Sequence, residues 1–257
     1  MASLQMMFST AVLALLAGTA SASSILVTYD AAGSQAPANS ICSDCYLSFD
    51  SLNNGAQNYS AQFGSTGVTG SYTNLNIVSA NQYGGAGGTG KYAEVGVQSG
   101  TTSYSLALSK QVNYFGLWWS AGDAQNDLQF YSGGTLISSF STADMISLVG
   151  NCSNPSGNAF CGNPNSSGRA QDNGEPFAYL NFFGQNGTSF DRVVFANNTT
   201  GTGFESDNHA VAILNGSTTT GTPVTTLTGA PEPSTFLLLL IAPCFLVARK
   251  YLGKRTA

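Results

Sequence analysis

The chain has 257 residues, of which 8% are charged, and a net charge of −5. Half of its eight basic residues, Arg249, Lys250, Lys254 and Arg255, fall in the last nine positions. The rest therefore lacks the cationic face that releases counterions from a phosphate backbone, which excludes nucleic acid as a partner.

At the N-terminus an apolar stretch at 11–16 runs into small residues ending in Ala20-Ser21-Ala22. This A-x-A pattern predicts a secretory signal peptide over 1–22, cut after Ala22, although no Lys or Arg precedes the apolar stretch. Export implies an oxidising compartment, where Cys42, Cys45, Cys152 and Cys161 read as disulfides. Four cysteines admit three connectivities, of which the simplest joins Cys42 to Cys45 and Cys152 to Cys161. A four-cysteine zinc site is the rival, but only the first pair has CxxC spacing and the second is C-x8-C. The exported segment, 23–230, carries four basic against twelve acidic side chains, a net of −8. Divalent cations are its natural counter-charge.

Short runs with period-two alternation and β-branched or aromatic residues recur along this segment, separated by Gly, Asn and Ser clusters. They predict strands at 25–29, 46–49, 59–63, 67–72, 92–97, 103–108, 114–119, 127–131, 135–140, 177–183, 192–196 and 210–214. No helical periodicity is sustained, so the expected class is all-β, a two-sheet sandwich of jelly-roll type over 23–214. Ser141 followed by Asp144 at the capping-box spacing predicts one or two helical turns before Met145, Ile146 and Leu148. Gly133-Gly134 predicts a tight hairpin turn. Five glycines within 84–90 predict a mobile loop. In Tyr114-Phe115-Gly116-Leu117-Trp118-Trp119, alternation sends Phe115, Leu117 and Trp119 to one face and Tyr114, Gly116 and Trp118 to the other. One tryptophan then lies on the outer face or under a loop, where Trp118 would offer a platform for stacking a sugar.

The single histidine, His209, narrows the catalytic options, and there is no G-x-S-x-G elbow to place a serine beside it. It is expected in a loop, hydrogen-bonded to a nearby carboxylate. Paired carboxylates capable of hydrolysing glycosides cannot be chosen by spacing alone among twelve acids. Calcium is the candidate cofactor. Glu205, Asp207 and Asn208 present oxygens just before a terminal strand, and Asp50 would reach them where first and last strands meet. Asp123 to Asp127 is a second oxygen-rich turn.

Residues 215–230, rich in Thr, Gly and Ser, read as a flexible stalk. Beyond them Pro231-Glu232-Pro233 precedes an apolar run at 236–248, a single transmembrane segment, and a basic tail at 249–257 containing Arg249 and Lys250. This order resembles the PEP-CTERM sorting signal of bacterial exosortase substrates. The middle of the chain, from Tyr114-Phe115-Gly116-Leu117-Trp118-Trp119 to Gly203-Phe204-Glu205-Ser206-Asp207-Asn208-His209, also looks like a group of such surface proteins without an established activity. The resemblance implies a non-enzymatic exported protein, held in the membrane by its C-terminal helix and processed by an exosortase. It would pass to the cell surface or matrix, among exopolysaccharide or biofilm. The alternative is a lectin-like carbohydrate-binding module using Trp118, with a secreted glycan hydrolase ranked behind it.

Overall fold

The computed structural model describes residues 23–164, 172–216 and 219–228. The expected signal peptide with Ala20 and Ala22 lies outside these residues, as does the tail with Pro231, Glu232, Pro233, Arg249 and Lys250. Among the described residues no helix is long and apolar enough to cross a membrane.

The strands are β1 (Ser24–Tyr29), β2 (Tyr46–Leu47), β3 (Gly55–Gln62), β4 (Thr69–Ser79), β5 (Lys91–Gly96), β6 (Ser103–Val112), β7 (Tyr114–Ser120), β8 (Asn126–Ser132), β9 (Thr135–Ser141), β10 (Ala178–Gln185), β11 (Phe190–Asn197), β12 (Gly203–Ala212) and β13 (Thr222–Thr228). They pair antiparallel in the order β13-β1-β10-β7-β12-β5-β4-β6-β11-β8-β9, with β2 added to β12 and β3 to β4. The all-β expectation holds, but hydrogen bonding runs unbroken through one large sheet. Strand β4 carries it around the corner, because its Gly70–Thr73 stretch pairs with β6 and its Asn76–Ser79 stretch with β5. Asn74, between the two, takes a left-handed φ of 59° that bends the strand. The outermost strands β13 and β9 touch, so the sheet nearly closes into a barrel, while β3, paired only with β4, keeps one edge exposed.

Strand β13 corrects the expected stalk. Its Thr-rich sequence pairs with β1 in antiparallel register, Leu227 opposite Ile25. The hydroxyls suggested a solvated linker, but β-branched threonine also suits a pleated edge strand.

Alternation along β7 decides what is core. Phe115, Leu117 and Trp119 enter the main apolar cluster with Phe130, Phe140, Phe182, Phe195 and Phe204. Tyr114 and Trp118 face the other way, into two smaller clusters beneath the loops that cover the sheet. The helix α1 (Thr142–Val149) begins at the expected capping box, with Ser141 Oγ accepting from Asp144 N and Asp144 Oδ2 accepting from Ser141 N. Gly133 and Gly134, at φ 54° and 89°, make the β8–β9 turn.

Both expected cysteine pairs lie at bonding distance, Cys42 with Cys45 and Cys152 with Cys161. The second closes a polar loop with a sequence separation of 9, and loop-closure entropy assigns it about 2 to 3 kcal/mol. Replacing Cys152 and Cys161 together by alanine should lower the stability measured by urea unfolding by that amount. An unchanged midpoint would show that the loop is ordered by other contacts.

Candidate functional site

The most unusual element is β12. Its residues Glu205, Ser206, Asp207, Asn208 and His209 are all buried. The strand is enclosed because β7 lies along one edge while β5 and then β2 lie along the other. Alternation sends Phe204 and Ser206 into the core and Glu205 and Asp207 outward. A bulge between Asp207 and Ala210, with Asn208 at φ 48°, then resets the phase so that His209 also points inward.

On the core side the polar groups satisfy one another. Tyr72 Oη and His209 Nδ1 are 3.0 Å apart, His209 Nε2 and Ser206 Oγ 3.0 Å, and Ser206 Oγ and Tyr104 Oη 2.7 Å. The imidazole is stacked on Phe195 at 4.7 Å and meets Phe49 edge-on. His209 is thus a core residue rather than the expected loop histidine, with a tyrosine and a serine in place of a carboxylate. Burial pushes it down from 6.5 to about 3, so it is a neutral hydrogen-bonding link.

On the outer side three chain segments converge on a cleft of about 580 Å³ lined by Asp123, Glu175 and Glu205, with Thr202, Gln98 and Asn81. The turn after β7 is one segment, in which Ala121 has φ 45° and Gly122 N donates to Pro176 O. The 172–176 segment, bridged to the end of the disulfide loop, supplies the second. Pro176 bridges to Cys161, Gly162 N donates to Glu175 O, and Glu175 N donates to Asp172 O. The start of β12 is the third, where Gly203 N donates to Asp123 Oδ2. A side chain at Gly203 would run into the Glu205 carboxylate, 1.9 Å from Oε1, so glycine is what lets that carboxylate fold back beside Asp123.

The cleft concentrates carboxyl groups. Burial, then Glu94, Asp123, Glu175 and Asp172, hold the Glu205 carboxyl well above the usual carboxylate range. Burial and the adjoining Asp172 and Asp123 push Glu175 up to about 9. The described bases point elsewhere: Lys91 Nζ donates to Leu52 O, Arg192 lies over Tyr131 at 4.0 Å, and Lys110 sits beside Gly67. Glu94 is satisfied by Gln98 N, Ser99 N and Asn76 Nδ2. Glu205 Oε2 and Asp172 Oδ2 are buried without a hydrogen-bond partner.

The four residues expected to share calcium divide into separate groups. Glu205 belongs to the cleft. Asp207 accepts from Ala86 N at 2.8 Å and Asn208 N at 2.7 Å, which ties the glycine-rich 84–90 loop to β12. Asn208 Nδ2 donates to Gln35 O, and Asp50 Oδ1 accepts from Lys91 N. Spacing along the chain had grouped Glu205 with Asp207, but each engages a different loop. Trp118 is 1% exposed and packs on Phe177 at 5.7 Å, so its ring offers no open platform for a sugar. Sequence reading missed Glu175 and Asp172, whose approach to Asp123 and Glu205 is created by long-range pairing; the oxygen-rich Asp123 turn was the only local signal.

No protein-family model matches the chain, and neither does any curated protein or solved structure.

Proposed function

We propose that the chain is an exported, non-enzymatic cell-surface or extracellular-matrix protein, held in the membrane by its C-terminal apolar run and processed by an exosortase. The observation that carries this reading is the order of Pro231-Glu232-Pro233, apolar run and basic tail at the C-terminus. Two disulfide pairs support an oxidising compartment. Its surroundings are the exopolysaccharide or biofilm matrix. The fold is proposed as a jelly-roll-like sandwich whose two layers are joined by β4; supporting this are the inward aromatic faces of β7 and β10 on one side and β8 and β11 on the other. The enclosure of His209 among aromatic rings favours a structural over a catalytic role for that side chain. The lectin-like alternative rested on Trp118, and the covering of its ring by Phe177 weighs against it.

Intact mass of the protein recovered from outside cells tests the reading. The expected species begins at Ser23 and ends near Pro231 to Pro233. Recovery of the extracellular protein with 236–257 still attached, from a strain whose processing peptidase is active, would overturn it.

A further inference from the structure

The carboxylates of the outer cleft pose a chemical problem that hydrogen bonding inside the chain solves only in part: Glu175 is hydrogen-bonded to Asp172 and Asp123, whereas Glu205 is left over. Glu205 is 3% exposed, its Oε2 has no partner, and it lines the same cleft as Asp123 and Glu175. Carboxylates packed this closely require either shared protons or a cation between them, because a buried unpaired charge is expensive. Among the described lining residues the charged side chains are all carboxylates. Thr202 and Gln98 add neutral oxygens to the lining.

We propose that Glu205, Asp123 and Glu175, with Asp172 behind Glu175, form a binding site for a hard divalent cation, calcium by preference. Calcium accepts six to eight oxygens in an adaptable shell, whereas magnesium demands stricter octahedral geometry and gives up its water reluctantly. Among the described residues no three acidic, histidine or cysteine side chains stand at mutual ligand spacing, so binding requires the carboxylates to draw together around the ion. The ligands come from three segments: the turn after β7, the 172–176 segment and the first residues of β12. Cation binding therefore ties the 172–177 segment to the sheet.

The probe is calcium itself, added to full-length protein after chelation with EDTA. Millimolar calcium should raise the melting temperature by several degrees, and equimolar magnesium should do markedly less. Terbium in the same site should luminesce through Tyr92, whose hydroxyl is hydrogen-bonded to Asn81 and Gln98 of the cleft lining, and calcium should compete it away. Glu205→Gln keeps the shape and removes the charge, so it should fold, weaken calcium binding at least tenfold and abolish the terbium signal. Should that variant fold poorly, Asp123→Asn gives the same reading from a second segment. A melting temperature indifferent to EDTA and calcium would overturn the proposal. So would a calcium response that Glu205→Gln and Asp123→Asn both retain. Arg169 lies outside the described residues; a wild-type protein that ignores calcium while Arg169→Gln destabilises it would assign the counter-charge to arginine instead.

Discussion

Replacing Trp119 by alanine should cost about 3 to 5 kcal/mol, the range for truncating a large aromatic in a packed core. Trp119 is fully buried between Phe204 at 4.3 Å and Phe140 at 5.8 Å. These neighbours belong to β12 and β9, so the cavity would open between strands that cannot move together without breaking their own ladders. A domain of this size has about 5 to 15 kcal/mol in total, so the variant should lose a large share of it. Trp118→Ala removes an equally buried ring from the other face, where Phe177, Tyr179 and Ala121 surround it under loops. Loops can settle into part of the space, and the expected loss is smaller, about 2 to 3 kcal/mol. Urea unfolding of both variants gives the comparison. Equal losses would mean that the outer cluster is as rigid as the core, contrary to this assignment. Trp119→Phe separates ring volume from polarity. The indole Nε1 has no acceptor, so phenylalanine removes an unpaired buried donor along with some contact area, and its cost should stay well below that of alanine.

What could be read from the sequence was local. Alternation in 114–119 assigned the two faces of β7 correctly because the residues there are large enough to make the period unmistakable. Ser141 with Asp144, and Gly133 with Gly134, announced a helix start and a turn through the backbone hydrogen bonds and φ angles that each demands. Strand β12 was recognised only from Ala210 onward. Its first half, Gly203 to His209, carries Glu, Ser, Asp, Asn and His, which read as a polar loop because hydropathy counts side chains without their partners. Tyr104, Tyr72, Ala86 and Gln35 supply those partners from distant segments. The acidic cleft was hidden for the same reason: Asp123, Glu175 and Glu205 meet through the pairing of β7 with β12 and the bridge at Pro176, which no spacing along the chain encodes.

The neutral state of His209 should appear as a pH dependence of stability with a definite sign. In the unfolded chain the imidazole takes a proton as the pH falls through its ordinary 6.5, whereas in the folded core it remains neutral down to about 3. The unfolded state thus binds the extra proton across that window. His209's contribution is complete above 6.5 and is lost progressively as the pH falls from there toward 3. At about 1.4 kcal/mol per pH unit, the loss between 6.5 and 4 is about 3 kcal/mol. Its packed neighbours do not compensate. Tyr72 and Tyr104 are held well above the usual phenol range by burial, so both are uncharged throughout. The buried carboxyls act in the opposite direction, since Glu205, Asp207 and Glu175 are raised and therefore favour the folded state as the pH falls. The whole-protein profile is consequently a sum of opposing slopes, and the histidine must be isolated by difference. Stability of wild type minus that of His209→Gln should shrink by about 3 kcal/mol between pH 7 and pH 4. Because His209 is the sole histidine, its ring resonances give a direct second readout that survives a poorly folding variant. In native protein they should not move between pH 7 and pH 4, while in urea they should titrate near 6.5. A native midpoint near 6 would mean that water reaches the ring, and the Tyr72–His209–Ser206–Tyr104 chain would have to be redrawn as a solvated site.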